Sequence, residues 1–95
     1  MPFTTKMRPY TREEIERINP NQNGVYGIFR GDRAIYIGSG DIRDRMLKHI
    51  DDDNPCITQN TPNQWTASVI SGDPTGREGE LIQEYAPICN KQIPQ

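Results

Sequence analysis

The chain has few of the residues on which several protein classes depend. Its 95 residues include two cysteines, one histidine and no long apolar run. Two distant cysteines with a single histidine do not form a zinc knuckle. No apolar run approaches the ~20 residues that a membrane-spanning helix needs, and the first residues do not resemble a secretory signal. We therefore expect a cytoplasmic protein with no membrane association.

The cysteine positions also argue against a disulfide. Cys56 and Cys89 are far apart in the sequence, and disulfides are rare in proteins that are not exported. We predict that both are thiols, either buried or without a role.

Positive charge is not in excess either. Eleven Lys and Arg residues face thirteen Asp and Glu residues, and the formal net charge is −2. This excludes tight binding of nucleic acid through bulk electrostatics. A basic group nevertheless gathers in the first half of the chain: Arg30, Arg33, Arg43, Arg45 and Lys48. Any contact with nucleic acid should therefore be local and weak.

Two β-type runs and a later third run predict a small sheet. The first two, 25–29 and 34–37, flank Gly31 and Asp32, which form the strongest hairpin signal in the chain. The third strand is predicted at 65–70. We predict the α/β class, with a three-stranded antiparallel or mixed sheet flanked by helices, in a single domain that covers the whole chain.

The other segments predict three helices and two irregular stretches. In chain order these are an irregular tail or edge segment at 1–10, a short helix from the Thr11 capping box to about 18, a helix capped by Asp41 to about 50, a polar loop at 51–62, and a helix from about 75 to 85, capped by Asp73 or Thr75. The helices have a capping side chain before them and apolar residues at helical spacing. A loop as long as 51–62 is usually functional or mobile.

The hairpin register decides whether Tyr26 and Tyr36 share a face of the sheet. A two-residue loop would place them on opposite faces, because side chains alternate along a strand. A loop with an odd number of residues, with Arg30 opposite Ala34, brings both phenols to one face. It also gathers four apolar residues on the other face: Val25, Phe29, Ile35 and Ile37. We therefore predict the odd loop.

Arg45 and His49 follow Asp41 at intervals of four residues, along one line of a helix. The guanidinium fork of Arg45 matches phosphate oxygens and keeps its charge. The alternatives are a surface arginine paired with Asp41 and a histidine at the helix edge without a chemical role.

Glu78 lies near the start of the last helix. It could close a capping box with the threonine three residues earlier. It also shares a helix line with Leu81, so its carboxylate should point toward the sheet, where it needs a cation. A magnesium ion held by one carboxylate, waters and phosphate oxygens meets that need. Asn90 follows twelve residues later and either caps a turn after Pro87 or joins the same site.

The ordered set of these motifs resembles the GIY-YIG nuclease family. The motifs are Gly24-Val25-Tyr26, Ile35-Tyr36-Ile37-Gly38, Arg45-x-x-x-His49, Glu78-x-x-Leu81-Ile82 and Pro87-x-x-Asn90, within a core at 24–90. The resemblance implies a metal-dependent endonuclease that hydrolyses DNA phosphodiester bonds, with Mg²⁺ or Mn²⁺ bound at Glu78. It also implies that Tyr26, or less often Tyr36, deprotonates the attacking water and that Arg45 stabilises the transition state. Tyr36, His49 and Asn90 would support them.

The chain departs from the family pattern at one position. Many members carry a lysine directly after the second tripeptide, which is Tyr36-Ile37-Gly38 in this chain, whereas this chain has Ser39 followed by Gly40. The departure removes one phosphate contact. Together with the acidic net charge it favours the alternative function, a non-catalytic module that binds nucleic acid or protein on the same scaffold. A protein partner that supplies specificity is compatible with either function.

Overall fold

The computed structural model describes residues 3–51 and 53–90, which fold around one sheet. The elements are β1 (Arg8–Pro9), α1 (Arg12–Glu16), β2 (Asn23–Arg30), β3 (Arg33–Asp41), α2 (Ile42–Ile50), α3 (Pro55–Gln59), β4 (Gln64–Val69) and α4 (Thr75–Tyr85). The strands pair antiparallel in the order β1-β4-β2-β3. Within the described ranges, no helix combines the length and apolar character needed to cross a bilayer.

The sheet has four strands, so the prediction of three strands is wrong in number. The additional strand, β1, lies in the segment predicted as an irregular tail or edge segment and pairs Arg8 with Trp65 and Pro9 with Gln64. Proline lacks a backbone donor and is tolerated in a sheet mainly at an edge, which is where β1 lies. A two-residue strand has too few residues to show a period in the sequence.

Three helices form where their local signals predict them. The Thr11 hydroxyl accepts the Glu14 amide at 3.2 Å, and the Asp41 carboxylate accepts the Asp44 amide at 3.2 Å. Asp73 accepts the amide of Thr75 at 3.0 Å, although Pro74 occupies the N-cap position of α4. Short-range hydrogen bonds of this kind depend on neighbours in sequence, and the sequence therefore shows them.

The predicted loop at 51–62 contains a helix. Asn54 caps α3 by accepting the Cys56 amide at 3.1 Å, and Pro55 occupies the first turn, where its missing N–H costs no hydrogen bond. Ile57 is fully buried against the core. One apolar anchor and one cap suffice for a five-residue helix, and that is too short for an amphipathic period.

The hairpin turn has two residues, so the odd-loop prediction is wrong. Arg30 pairs with Arg33 around Gly31, which has φ +58°. The register then shifts by one residue, because Ile28 pairs with Tyr36 while Phe29 pairs with Ala34. The residue skipped by this bulge is Ile35, which packs with Ile28 and not with Val25 and Ile37 as predicted. The extra residue of the bulge therefore has the same effect on the strand register as one additional loop residue.

Helices cover both faces of the sheet. On one face Ile15 of α1, Met46 of α2 and Ile57 of α3 pack against Tyr26, Ile28 and Trp65. On the other face Leu81 of α4 packs against Val25 and Ile37. The functional candidates on β2 and β3 therefore lie in the sheet, between the two layers of helices.

Cys56 and Cys89 form a disulfide, so the prediction of two thiols is wrong. Their Cα atoms are 5.8 Å apart. The bond joins α3 to the segment after α4, which runs beside β3 and donates the Cys89 amide to Ile35 O at 2.8 Å. The sequence separation does not predict this proximity, because the two cysteines come together only when the segment after α4 packs against the edge of the sheet.

Reduction of this disulfide is expected to lower the free energy of unfolding by about 3 kcal/mol, because the bond closes a long loop in the unfolded chain. Urea unfolding with and without a reductant measures the difference. The double variant Cys56→Ser with Cys89→Ser is the control and should be insensitive to reductant. Equal unfolding midpoints of the wild-type chain in the two conditions would contradict the prediction.

Candidate active site

Tyr26 and Tyr36 lie on the same face of the sheet, as predicted. Tyr26 pairs with Gly38 and Ile28 pairs with Tyr36, so the two phenols are diagonal neighbours with ring centroids 6.3 Å apart. The Ile35 bulge produces this arrangement in spite of the two-residue turn. Without the bulge one phenol would face α4.

Gly38 provides the space in which the two phenols meet. A Cβ atom at this position would overlap the Tyr26 hydroxyl and would lie 2.9 Å from Cε2 of Tyr36. The glycine that ends the second tripeptide is therefore required by the side chains around it.

The two phenols differ in exposure. Tyr26 is 1% exposed, whereas Tyr36 is only partly buried. Burial is the main cause that raises the pKa of each phenol above its ordinary value, and the negative charge of Glu78 adds to it. The positive charge of Arg45 opposes the shift at both tyrosines. Both charged residues thus interact with the phenol pair.

His49 lies against both tyrosine rings. Its ring centroid is 5.6 Å from that of Tyr26 and 5.1 Å from that of Tyr36. Its Nε2 lies 2.8 Å from the Tyr26 hydroxyl, and its Nδ1 lies 3.0 Å from a carboxylate oxygen of Asp53. The ring is 7% exposed, and burial lowers the pKa of His49, while the hydrogen bond to Asp53 opposes the shift. His49 is therefore a buried, bonded residue and not a solvated helix edge.

Arg45 is exposed on α2, one turn before His49. The carboxylate of Asp41 caps α2 at the Asp44 amide, which is a different role from the ion pair considered for it. Gly40, with φ +126°, lies beside the guanidinium, and a Cβ there would be 3.1 Å from Nε of Arg45. The backbone thus leaves room for the arginine beside the phenols.

Glu78 points toward β3 and does not close a capping box. Its carboxylate accepts the Ser39 hydroxyl at 2.8 Å, and its own amide donates to Pro74 O at 2.9 Å. The side chain is half-buried in the first turn of α4. The carboxylate is therefore held at the sheet, next to the tyrosines whose pKa values it raises.

Asn90 is buried and bonded to the backbone of β3. It accepts the Ile37 amide at 2.8 Å and donates to Ile37 O at 2.9 Å, as a neighbouring strand would. Ile37 lies between Tyr36 and Gly38. Asn90 therefore braces the strand that carries Tyr36, and its membership of the site stays a prediction.

Two polar contacts of the site have no counterpart in the sequence prediction. Asp53 was not identified, although its spacing of four residues from His49 is a signal that could have indicated it. In the sequence, Ser39 stands out only because many family members have a lysine at this position. No local signal indicates its hydrogen bond to Glu78, because the two residues lie on different elements.

A separate cavity of about 380 Å³ lies where α1, β1 and β4 meet. Arg8, Glu14 and Trp65 are among the described residues that line it, and none of the six predicted site residues does. This cavity is therefore separate from the polar cluster around the two tyrosines.

The structure is a four-stranded antiparallel sheet with helices on both faces, and the tyrosine pair lies on the hairpin of β2 and β3 at one edge of that sheet. No protein-family model and no curated protein matches the chain by sequence. Solved structures do match. The N-terminal GIY-YIG endonuclease domain of UvrC from Thermotoga maritima, bound to its catalytic divalent cation, magnesium, is 20% identical, with a TM-score of 0.71 over 84% of this chain and 99% of that one.

Two tyrosine-to-phenylalanine mutants of the same domain, each bound to its catalytic divalent cation, agree with this match. Both have a TM-score of 0.72, with 21% and 20% identity, and each match covers 83% of this chain and 92% of the other. The chain therefore has the GIY-YIG fold.

Proposed function

We propose that the chain is a divalent-metal-dependent endonuclease that hydrolyses DNA phosphodiester bonds. The observation that carries the proposal is the convergence of a phenol, an imidazole, a guanidinium and a carboxylate around one hairpin. Phosphodiester hydrolysis needs a group that takes a proton from water and positive charge beside the phosphate. The endonuclease domain of UvrC, with its magnesium, supports the same chemistry here.

Glu78 is the residue that would hold the metal. Among the described residues, no group of three or more His, Cys, Asp or Glu side chains is gathered for a metal. Magnesium is commonly held by one or two carboxylates, with waters and phosphate oxygens completing its shell. The Ser39 bond occupies one of about four lone-pair positions of the carboxylate, so the residue retains capacity for an ion. Bound Mg²⁺ or Mn²⁺ would draw charge from the phosphate and the leaving oxygen.

The protein's own groups divide the remaining work. Tyr26 takes the proton of the attacking water, and Tyr36, at the more open side of the pair, helps to orient that water. Arg45 donates two parallel hydrogen bonds to the phosphate and offsets its growing charge. His49 supports Tyr26 through the 2.8 Å contact, and Asn90 holds the strand that carries Tyr36.

The proposed substrate is DNA, bound weakly through the local cluster of cations. With a net charge of −2, little affinity comes from bulk electrostatics. A protein partner that supplies specificity is therefore part of the proposal. The cytoplasmic location stays a prediction, and the disulfide between Cys56 and Cys89 counts against it, because such bonds are rare in reducing compartments.

Nicking of supercoiled plasmid tests the proposed function. We expect conversion to open circles with Mg²⁺ or Mn²⁺ and none with EDTA. An RNA arm with a labelled single strand and a labelled hairpin distinguishes the nucleic acids. Binding of DNA without cleavage, at every metal concentration tried, would support the non-catalytic module in its place, since Ser39 stands where many family members have a lysine.

A further inference from the structure

We infer that Asp53 is a positioning residue that acts through His49, so that the two residues form a proton relay behind Tyr26. The inference rests on the proposed function. The geometric basis is a continuous chain of side chains: the Asp53 carboxylate lies 3.0 Å from Nδ1 of His49, and Nε2 of the same ring lies 2.8 Å from the Tyr26 hydroxyl.

The direction of both hydrogen bonds follows from the chemistry of the groups. An ionised carboxylate only accepts, so Nδ1 of His49 must carry the proton that is donated to Asp53. A neutral imidazole protonated on Nδ1 has a lone pair on Nε2. The Tyr26 hydroxyl therefore donates its hydrogen bond to Nε2 of His49. The lone pairs of the Tyr26 oxygen then point away from the imidazole ring. This is the arrangement of a base oriented by a third group.

A relay solves the main difficulty of using a buried tyrosine as a base. Tyr26 is 1% exposed, and burial raises the pKa of its phenol, so a free phenolate is not formed near neutral pH. His49 is neutral in the same environment, because burial lowers the pKa of its imidazole. It can thus accept the phenol proton at the moment when the phenol accepts one from water.

The step balances in protons and electrons. A lone pair of the water oxygen forms the new O–P bond, the electron pair of the broken O–H bond stays on that oxygen, and the released proton goes to the Tyr26 oxygen. The proton of Tyr26 passes to Nε2 of His49, and the resulting imidazolium is stabilised by Asp53. The P–O bond to the leaving group breaks with its electron pair on oxygen, which then takes a proton from solvent.

Among the described residues, four titratable or charged groups face His49. They are Tyr26 on β2, Tyr36 on β3, Arg45 on the same helix and Asp53 after it. Arg45 lowers the pKa of His49, while Asp53 raises it. Loss of the Asp53 charge should therefore move the titration of His49 to still lower pH, because Arg45 continues to lower its pKa.

His49 is the only histidine in the chain, so its ring nitrogens can be observed by NMR without ambiguity. We expect the Nδ1–H tautomer in the wild-type chain at pH 7. Asp53→Asn should lower the pKa of His49 and increase the Nε2–H population. Asp44→Asn is the matched control: it removes the same charge from α2, but its partner is Lys48, at 3.5 Å. It should leave the His49 signals unchanged.

Plasmid nicking kinetics supply the functional arm. Asp53→Asn should lower kcat by about 10- to 100-fold, at or below the lower end of the range for general acid–base catalysis, because Asp53 is half-exposed. KM should change less than twofold, since Asp53 does not touch the substrate. Asp53→Glu should restore part of kcat, and Asp44→Asn should behave as wild type.

The two arms separate failure of the relay from failure of the nuclease. A wild-type chain that nicks DNA while Asp53→Asn keeps its kcat within twofold would overturn the relay alone. A fall in kcat without any change in the tautomer or titration of His49 would overturn it as well. If the wild-type protein does not nick DNA, the nuclease and the relay are both overturned as catalytic proposals. The NMR arm then still reports whether the hydrogen bonds between Asp53, His49 and Tyr26 exist.

Discussion

Replacing Glu78 by glutamine is expected to abolish metal-dependent nicking. The substitution keeps the shape of the side chain and an oxygen that accepts the Ser39 hydroxyl, but it removes the charge that would hold the cation. A bound metal contributes several kcal/mol of charge stabilisation. Since each 1.36 kcal/mol is a factor of ten, we expect a loss of at least about 10³-fold in kcat.

Glu80→Gln is the matched control for this experiment. Glu80 lies on the same helix, is exposed, and pairs with Arg77 at 3.1 Å on the surface. Its loss should cost about 0–1 kcal/mol of stability and no activity. Melting curves of both variants should lie close to wild type. A Glu78→Gln variant that melts several degrees lower yet nicks at the wild-type rate would show that Glu78 serves only the structure.

Local signals account for the part of the fold that the sequence predicts. Thr11 and Asp41 cap their helices through neighbours three residues away, and such contacts need no tertiary structure. The order and spacing of the tyrosine, arginine and glutamate motifs indicated the GIY-YIG fold, which the structural comparison confirms. The additional strand β1 and helix α3 were missed because each is too short to show a period.

The missed features of the site depend on contacts between distant segments. Ile35 is skipped in the hairpin pairing, while its carbonyl accepts the amide of Cys89 from the segment after α4. The same segment carries the disulfide to Cys56 and places Asn90 on the backbone of β3. Hydrophobic segregation along one hairpin cannot reveal a partner 53 residues away. The shared face of the tyrosines was therefore predicted correctly for the wrong reason.

The partner of His49 is a different kind of omission. Asp53 lies four residues after His49, within the spacing at which side chains meet on a helix, although α2 ends at Ile50. The sequence prediction assigns this position only to the polar loop at 51–62. A carboxylate one turn after the single histidine is a local signal, and it could have been used.

Arg45→Lys is expected to lower kcat by about 10²–10³-fold, the effect of removing one donor aimed at charge that develops in the transition state. A lysine retains the charge but lacks the planar fork that gives a phosphate two parallel hydrogen bonds. Arg43→Lys is the control, because residues two apart on a helix do not face each other, and it should nick at the wild-type rate. Single-turnover nicking at saturating Mg²⁺ separates the chemical step from DNA binding.

If Arg45→Lys and Arg43→Lys both stay within threefold of wild type, Arg45 is a surface cation whose charge merely lies near the tyrosines. If both fall together, each arginine makes directed bonds that an ammonium cannot replace, and the effect is not specific to Arg45.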